Sequence, residues 1–233
     1  MGTKVAVVIG ASGGIGAALV AALEDSARFD KVLGLSRSST PSLDLLDEAS
    51  IERAARWAEA QAGEDGEIGL VFDATGALTI DGQKPEKSLR EIDGVALARS
   101  YSINAIGPVL LMKHFLPLLP REGRGVFATL SARVGSIGDN HLGGWYGYRA
   151  AKAGLNQLVR TAAVELARKK REAICVSLHP GTVQTPLTEG FAKRGLEVQS
   201  PEQAAQRLIR VIENLTPSDT GGFFDHLGQP VVW

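Results

Sequence analysis

Tyr148 and Lys152 stand four residues apart, and on a helix that spacing puts both side chains on one face, a turn apart. A phenol near its ordinary pKa of about 10 is a poor base at neutral pH. A neighbouring ammonium favours the phenolate and is expected to lower that pKa. Such a phenol can give a proton to a ketone oxygen or take one from an alcohol. Taken alone the pair is common, since an aromatic ring packed under a lysine stem needs the same spacing. Tyr146 has Ala150 four residues on, so Tyr148 is the sharper candidate.

Three glycines, Gly10, Gly14 and Gly16, follow the apolar run Lys4–Ile9. They let the backbone turn tightly and approach a pyrophosphate, while the following helix offers unpaired N–H groups and partial positive charge. Ser12 adds a hydroxyl to this cradle, and Ile15 sits between its last two glycines. The alternative is a tight strand-to-helix turn with nothing bound, but this turn lies where doubly wound proteins bind dinucleotides. A carboxylate about 20 residues on would hold the ribose 2′-OH of NAD. Here the second run ends Leu35-Ser36-Arg37-Ser38-Ser39, without an acid. Arg37 suits a 2′-phosphate, with the serine hydroxyls assisting, so NADP(H) is favoured over NAD(H). A solvated surface arginine is the other reading. Asp44 can accept from an adenine amino group, or serve as a cap or turn residue.

These side chains need a scaffold of short β-branched runs alternating with helical stretches. Strands are expected at Lys4–Ile9, Lys31–Leu35, Leu70–Asp73, Gly125–Leu130, Ile174–Leu178 and Gly222–Asp225. Helices are expected at Ile15–Leu23, Ile51–Gln61, Val95–Leu119 (with Pro108 and Pro117 to bend or end it), Tyr148–Lys170 and Pro201–Asn214. Strands that are apolar throughout are buried on both faces, which marks a parallel sheet. The alternation implies right-handed βαβ units. The expected fold is α/β: a single-domain Rossmann-type doubly wound parallel sheet with helices on both faces. Residues 1–125 would form its cofactor half and 126–233 its catalytic half. Asp81–Asp93 reads as a surface loop or short helix, and Pro186–Ser200 as a mobile segment.

The 233 residues, 44% of them hydrophobic, suffice for one full core. A formal net charge of −1 gives no electrostatic case for nucleic acid or an anionic membrane. No run approaches the roughly 18 apolar residues of a bilayer span. Val5–Ile9 is too short for a secretory signal, and Ala6 stands where a myristoylation signal needs Ser or Thr. Cys175 is the single cysteine, so a reducing, cytoplasmic setting is expected. Cys175 reads as buried and inert. No metal site is expected; His114 has no acid or cysteine at ligand spacing.

With these residues in place, the chain resembles the short-chain dehydrogenase/reductase family over nearly its whole length. The G-x-x-x-G-x-G turn, the Y-x-x-x-K pair and the turn Pro180-Gly181-x-x-x-Thr185 occur in the family's order and at its distances. The run SARVGSIGDNHLGGWYGYRAAKAGLN is similar to the C-factor/sniffer-like carbonyl reductase branch. The resemblance implies that Asn104, in SINAIGP, relays protons through water to Lys152; otherwise it is a polar kink beside Pro108. Asp73-Ala74-Thr75-Gly76 resembles the family's Asn-Asn-Ala-Gly turn with substitutions, which puts Ala74 and Gly76 at the cofactor and implies a differently built adenosine-side wall. Thr185 would bond the carboxamide of nicotinamide, with Val183 offering backbone groups and Pro180 and Gly181 shaping the turn. Thr185 is otherwise a cap or turn residue before Pro186.

The family's substrate-holding serine is the awkward position. It is the second of a Ser-Ser pair, three residues before a glycine, and counting back from Gly135 that place is Ala132. Ser131 is the candidate, with Ser136 as a substitute and a weaker oxyanion grip as the third possibility. Asn140, His141, Trp145 and Tyr146 lie on the loop before Tyr148 and could line a pocket. His141 reads more simply as a polar loop residue, and His179 as a strand-end residue with a structural hydrogen bond. The tail after Gly222 is expected to pack on a sheet edge or a subunit neighbour. The resemblance implies hydride exchange between NADP(H) and a small carbonyl or alcohol, with Tyr148, Lys152, Ser131 and Asn104 catalytic, in a homodimer or homotetramer. A cofactor-binding signalling protein of the C-factor type with little turnover is the competing expectation. A sugar-nucleotide epimerase would need a longer C-terminal region.

Overall fold

The computed structural model describes residues 2–187 and 198–233. Six strands form the main sheet: β1 (Lys4–Ile9), β2 (Lys31–Leu35), β3 (Glu67–Asp73), β4 (Val126–Leu130), β5 (Ile174–His179) and, after two short strands, β8 (Phe223–Asp225). All neighbours pair in parallel, in the order β2-β1-β3-β4-β5-β8. The fold is the doubly wound Rossmann-type sheet that the sequence leads one to expect. Side chains alternate across it. Val5, Val7, Ile9, Val71, Phe127 and Cys175 pack into one apolar layer with α2 (Glu48–Ala62), α4 (Gly107–Phe115) and α5 (Tyr146–Ala167). Ala6, Val8, Phe72, Ala128 and Val176 pack into the other with α1 (Gly14–Asp25) and α6 (Pro201–Asn214).

The strand order reverses direction between β1 and β3, and ligands of open α/β sheets bind in the crevice at such a switch point. Gly10 and Ala74 leave the sheet there, side by side, and the Ala74 N–H donates to the Ile9 carbonyl at 2.8 Å.

Several boundaries differ from the sequence expectation for local reasons. α2 starts at Glu48 rather than Ile51, because Asp47 caps it by accepting from the Ala49 N–H at 3.1 Å. The helical run Val95–Leu119 is broken into α3 (Gly94–Tyr101), a π-helical turn over Ser102–Ile106, and α4, with a 3₁₀ turn over Leu116–Leu118 at Pro117. Pro108 has no N–H to give, and the Gly107 N–H bonds the Ser102 carbonyl five residues back. α5 begins two residues before Tyr148, at Tyr146. Two short strands, β6 (Thr182–Val183) and β7 (Val198–Gln199), pair with each other and were not anticipated. Asp81–Asp93 is a loop with a 3₁₀ turn at Leu89–Glu91. Most of the expected mobile segment Pro186–Ser200 lies outside the described residues.

Contrary to the sequence reading, one helical run among the described residues, Gly94–Leu118, is by length and composition apolar enough to cross a membrane. Here Ala105, Leu111, Met112 and Phe115 of that run are buried in the layer against α5 and the sheet.

Candidate active site

The phosphate cradle is built by close backbone approach. Gly10 has φ +86°, and the N–H groups of Gly10 and Ala11 donate to the Leu35 carbonyl at 2.8 and 3.1 Å. A Cβ on Gly16 would lie 2.1 Å from the Gly10 carbonyl oxygen, so only glycine allows α1 to start this close to β1. Gly13 caps α1 with no side chain, and the first turn carries no acid. The positive end of the helix is therefore not neutralised by its own sequence. Ser12 is exposed on the turn, while Ile15 lies half-buried against the α1–α6 layer. A Cβ on Gly14 would sit 2.9 Å from Thr185 Cγ2, so the glycine turn and the Pro180–Thr185 turn meet although they are distant in sequence. Gly181 has φ +78°, the Gln199 side-chain amide donates to the Pro180 carbonyl at 2.6 Å, and Val183 is buried in β6.

Arg37 is exposed just past β2, and its guanidinium makes no hydrogen bond or ion pair among the described residues. The serines beside it are largely engaged in shaping their own turn: the Ser36 N–H donates to Ser39 Oγ at 2.8 Å, and Ser36 Oγ lies 3.1 Å from Ser38 Oγ. Asp44 accepts from the Leu46 N–H at 2.9 Å as a turn residue, while the capping role falls to Asp47.

The acid–base residues come from α5, the π turn and the end of β4. Lys152 is only 1% exposed, its Nζ donates to the Leu130 carbonyl at 2.8 Å and lies 5.9 Å from the centre of the Tyr148 ring. Burial drives the Lys152 amine down to about 8, opposed by the charge of Asp73. The Tyr148 phenol is pushed up to about 12 by burial. This corrects the expectation that Lys152 lowers it. The ammonium is itself weakened by desolvation and is committed to a carbonyl, so the loss of solvent around the phenol dominates. Asn104 is fully buried in the π turn; its Oδ1 accepts from the Ala77 N–H at 3.0 Å and its Nδ2 donates to the carbonyls of Ala77 and Ser100 at 2.8 and 3.1 Å. Where Gly76 lacks a Cβ, Asn104 Oδ1 and Lys152 Nζ converge, 3.4 and 3.6 Å from the position that atom would take. The asparagine and lysine thus share one space beside the turn after β3.

The two candidate serines occupy different settings. Ser131 is buried after β4, its N–H donates to the Leu178 carbonyl at 2.8 Å, and its Oγ is buried without a hydrogen-bond partner. Ser136 Oγ accepts from the Asp139 N–H at 3.0 Å, holding the following loop. Ala132 is extended, at φ −145° and ψ 144°.

Two residues that the sequence analysis names only as turn positions, Asp73 and Gly135, help to position this centre. Asp73 is fully buried and accepts from Thr129 Oγ1 at 2.6 Å and from the N–H and Oγ1 of Thr75 at 3.0 and 2.5 Å. Burial raises its carboxyl above the usual range, against the pull of those bonds and of Lys152. An acid closing the apolar run EIGLVFD was the available signal. Gly135 lets its loop press on α5: a Cβ there would lie 2.8 Å from Lys152 Cβ.

The remaining singled-out residues sort simply. Cys175 is buried and its thiol is pushed up to about 12. His179 is held down at about 4, chiefly by burial. It does not make the expected hydrogen bond: its Nδ1 is buried without a partner, and its ring stands edge-on to His226. His114 does have an acidic neighbour, Glu48 of α2, at 3.1 Å, which its own helix could not reveal. No group of three or more potential metal ligands occurs among the described residues. His141 is exposed, Asn140 Oδ1 accepts from the Gly143 N–H at 3.1 Å, and Trp145 meets Tyr148 edge-on with centroids 6.3 Å apart. The tail folds on the sheet edge, where Trp233 packs against Phe223 and its carbonyl accepts from the Gly138 N–H at 2.8 Å.

A glycine cradle at the switch point of a parallel sheet lies beside a Tyr–Lys pair on one helix face, the arrangement of a candidate oxidoreductase site. The chain belongs to the short-chain dehydrogenase/reductase family of oxidoreductases: the family model described as enoyl-(acyl carrier protein) reductase matches residues 2–223. It is 34% identical over 194 residues to 1-hydroxy-2-glutathionyl-2-methyl-3-butene dehydrogenase of Rhodococcus sp., covering 83% of this chain and 79% of that one. It is 35% identical over 147 residues to C-signal of Myxococcus xanthus, covering 63% and 84%. In fold it superimposes on an NADPH-bound carbonyl reductase from chicken fatty liver over the whole of both chains, with TM-score 0.85 at 23% identity. Carbonyl reductase Sniffer of D. melanogaster does the same, with TM-score 0.84 at 22% identity.

Proposed function

We propose that the protein is an NADP(H)-dependent carbonyl reductase in which Tyr148 donates the proton to the substrate oxygen. The observation that carries this reading is the pair on one face of α5, with Lys152 Nζ 5.9 Å from the centre of the Tyr148 ring and anchored to the Leu130 carbonyl, beside the glycine turn. Lys152 holds positive charge beneath the ring and is available to a cofactor ribose. Asn104 keeps a polar path open beside Lys152, and Ser131, with its unpartnered hydroxyl, is available to steady the substrate oxygen. The cradle fits a dinucleotide: Gly10, Gly14 and Gly16 with the uncapped start of α1 would hold the pyrophosphate. Arg37 would take the 2′-phosphate. Ser12, Ile15, Asp44, Ala74, Gly76, Pro180, Gly181, Val183 and Thr185 would line the remainder. A bound reduced nicotinamide supplies the hydride.

A second reading follows from the identity to C-signal and from Ala132 at the family's serine position: a cofactor-binding signalling protein with little turnover. NADPH consumption across a carbonyl panel, with Tyr148→Phe as control, separates the two. Turnover that Tyr148→Phe abolishes supports the reductase; tight NADPH binding without turnover of any carbonyl overturns it. Assembly as a homodimer or homotetramer is part of the same proposal. It draws support from Val95 and Ile106, apolar and exposed on the α3–α4 run, and light scattering of the purified protein tests it.

A further inference from the structure

α5 carries Tyr148 in its first turn, yet nothing local caps it. Its N-cap is Trp145, in the left-handed region at φ 54° and ψ 43°, with no side-chain cap and no acid in the first turn. The cap comes from 61 residues away in sequence: Glu86 Oε2 accepts from the Gly147 N–H at 3.1 Å. The Glu86 carbonyl accepts from the Trp145 N–H as well. Gly147 permits the approach, since a Cβ there would lie 3.0 Å from Glu86 Oε1 and 3.1 Å from Leu97 Cδ2. Glu86, Ser100 and Tyr148 line one cleft between the β3–α3 segment and α5. Ser100 in turn offers its carbonyl to Asn104 Nδ2 at 3.1 Å.

We infer that Glu86 is the positioning residue for Tyr148, fixing the start of the catalytic helix. The inference rests on the proposed acid–base role of Tyr148. The first N–H groups of a helix have no partner inside it, and a side chain that accepts from one of them fixes where the helix begins. Lys84, Glu86 and Glu91 of the facing segment share the cleft with Tyr148. Glu86 is the one that bonds the catalytic helix, at the residue adjoining Tyr148.

Glu86→Gln keeps an acceptor oxygen and removes the charge, whereas Glu86→Ala removes both. The full-length variants are assayed for kcat and KM of carbonyl reduction and for NADPH binding by fluorescence. Glu86→Ala is expected to lower kcat by about 10- to 100-fold, the effect of a misplaced proton donor, with NADPH affinity unchanged. Glu86→Gln should retain most of the neutral-pH rate. Wild-type kcat in Glu86→Ala, or a kcat in Glu86→Gln as low as in Glu86→Ala, overturns the positioning role. If Glu86→Ala does not fold, Glu86→Asp decides: its shorter side chain should lower kcat with NADPH affinity unchanged, and wild-type kcat there overturns the role. Full activity of Tyr148→Phe would instead remove the acid–base reading beneath the inference.

Discussion

Lys152 donates its hydrogen bond to the Leu130 carbonyl at 2.8 Å and so fixes its ammonium under the Tyr148 ring. The two groups titrate in opposite senses, the amine down to about 8 and the phenol up to about 12. Below about 8 both carry their protons, the state suited to reduction. As pH rises through about 8 Lys152 loses its charge while Tyr148 keeps its proton. Carbonyl reduction should therefore fall on the alkaline side of about 8 through the lysine, not the tyrosine. Lys152→Arg, which stays charged at all working pH values, should show a lower plateau without that decline in kcat/KM. Tyr148→Phe should lose about 10²- to 10⁴-fold in turnover at every pH. A decline that persists in Lys152→Arg would assign it to another group.

The Arg37 guanidinium has no partner among the described residues, and no acid stands at the end of β2 to favour a ribose hydroxyl. Arg37→Asp should weaken NADPH binding by about 10- to 100-fold, the worth of a charge-assisted bond to phosphate, and leave NADH binding nearly unchanged. Fluorescence titration with each cofactor checks this. Equal loss for both would refute the 2′-phosphate role.

The cradle glycines should separate fold from binding. A Cβ on Gly16 meets the Gly10 carbonyl oxygen at 2.1 Å, and backbone cannot step aside. Gly16→Ala should cost about 3 kcal/mol of stability or more, at the top of the range for overpacking, read in a denaturant melt. A Cβ on Gly14 meets only the Thr185 methyl and Pro201 ring. Gly14→Ala should leave the melt nearly unchanged while weakening NADPH binding through Thr185. Loss of stability in both variants alike would show that the turn, not the approach of Thr185, governs Gly14.

Much of this was legible because local patterns carry it. Apolar runs such as Lys4–Ile9 and Ile174–Leu178 announce strands buried on both faces, and the glycine spacing announces the turn between β1 and α1. What stayed hidden depends on partners distant in sequence. The spacing of Tyr148 and Lys152 suggested a lowered phenol pKa, but spacing carries no information about desolvation, and desolvation decides the sign. The break in Val95–Leu119 was anticipated at Pro108, but not its form, a π turn closed by the Gly107 N–H on the Ser102 carbonyl, nor the bonds that tie the buried Asn104 to Ala77. The trans cap from Glu86 has no signature at α5 beyond the missing local cap. Asp73 was visible as an acid in an apolar run, but its bond to Thr129 required the β3–β4 register.

The serine ambiguity resolves into a difference that two variants can read. Ser131 Oγ is buried without a partner after β4, whereas Ser136 Oγ is committed to the Asp139 N–H at 3.0 Å. An unpartnered buried hydroxyl is costly to the resting fold, so removing it should not destabilise the protein. Ser131→Ala should keep the melting temperature within a degree or two while lowering kcat/KM for carbonyl reduction by about 10- to 100-fold, the loss of one hydrogen bond to the reacting oxygen. Ser136→Ala should do the reverse, loosening the loop and lowering stability by about 1 kcal/mol with a smaller effect on turnover. Ala132→Ser restores a hydroxyl at the family's usual position. If that position faces the substrate oxygen, it should raise kcat/KM and rescue Ser131→Ala. Unchanged kinetics in Ser131→Ala, with rescue absent, would leave the substrate oxygen to Tyr148 alone.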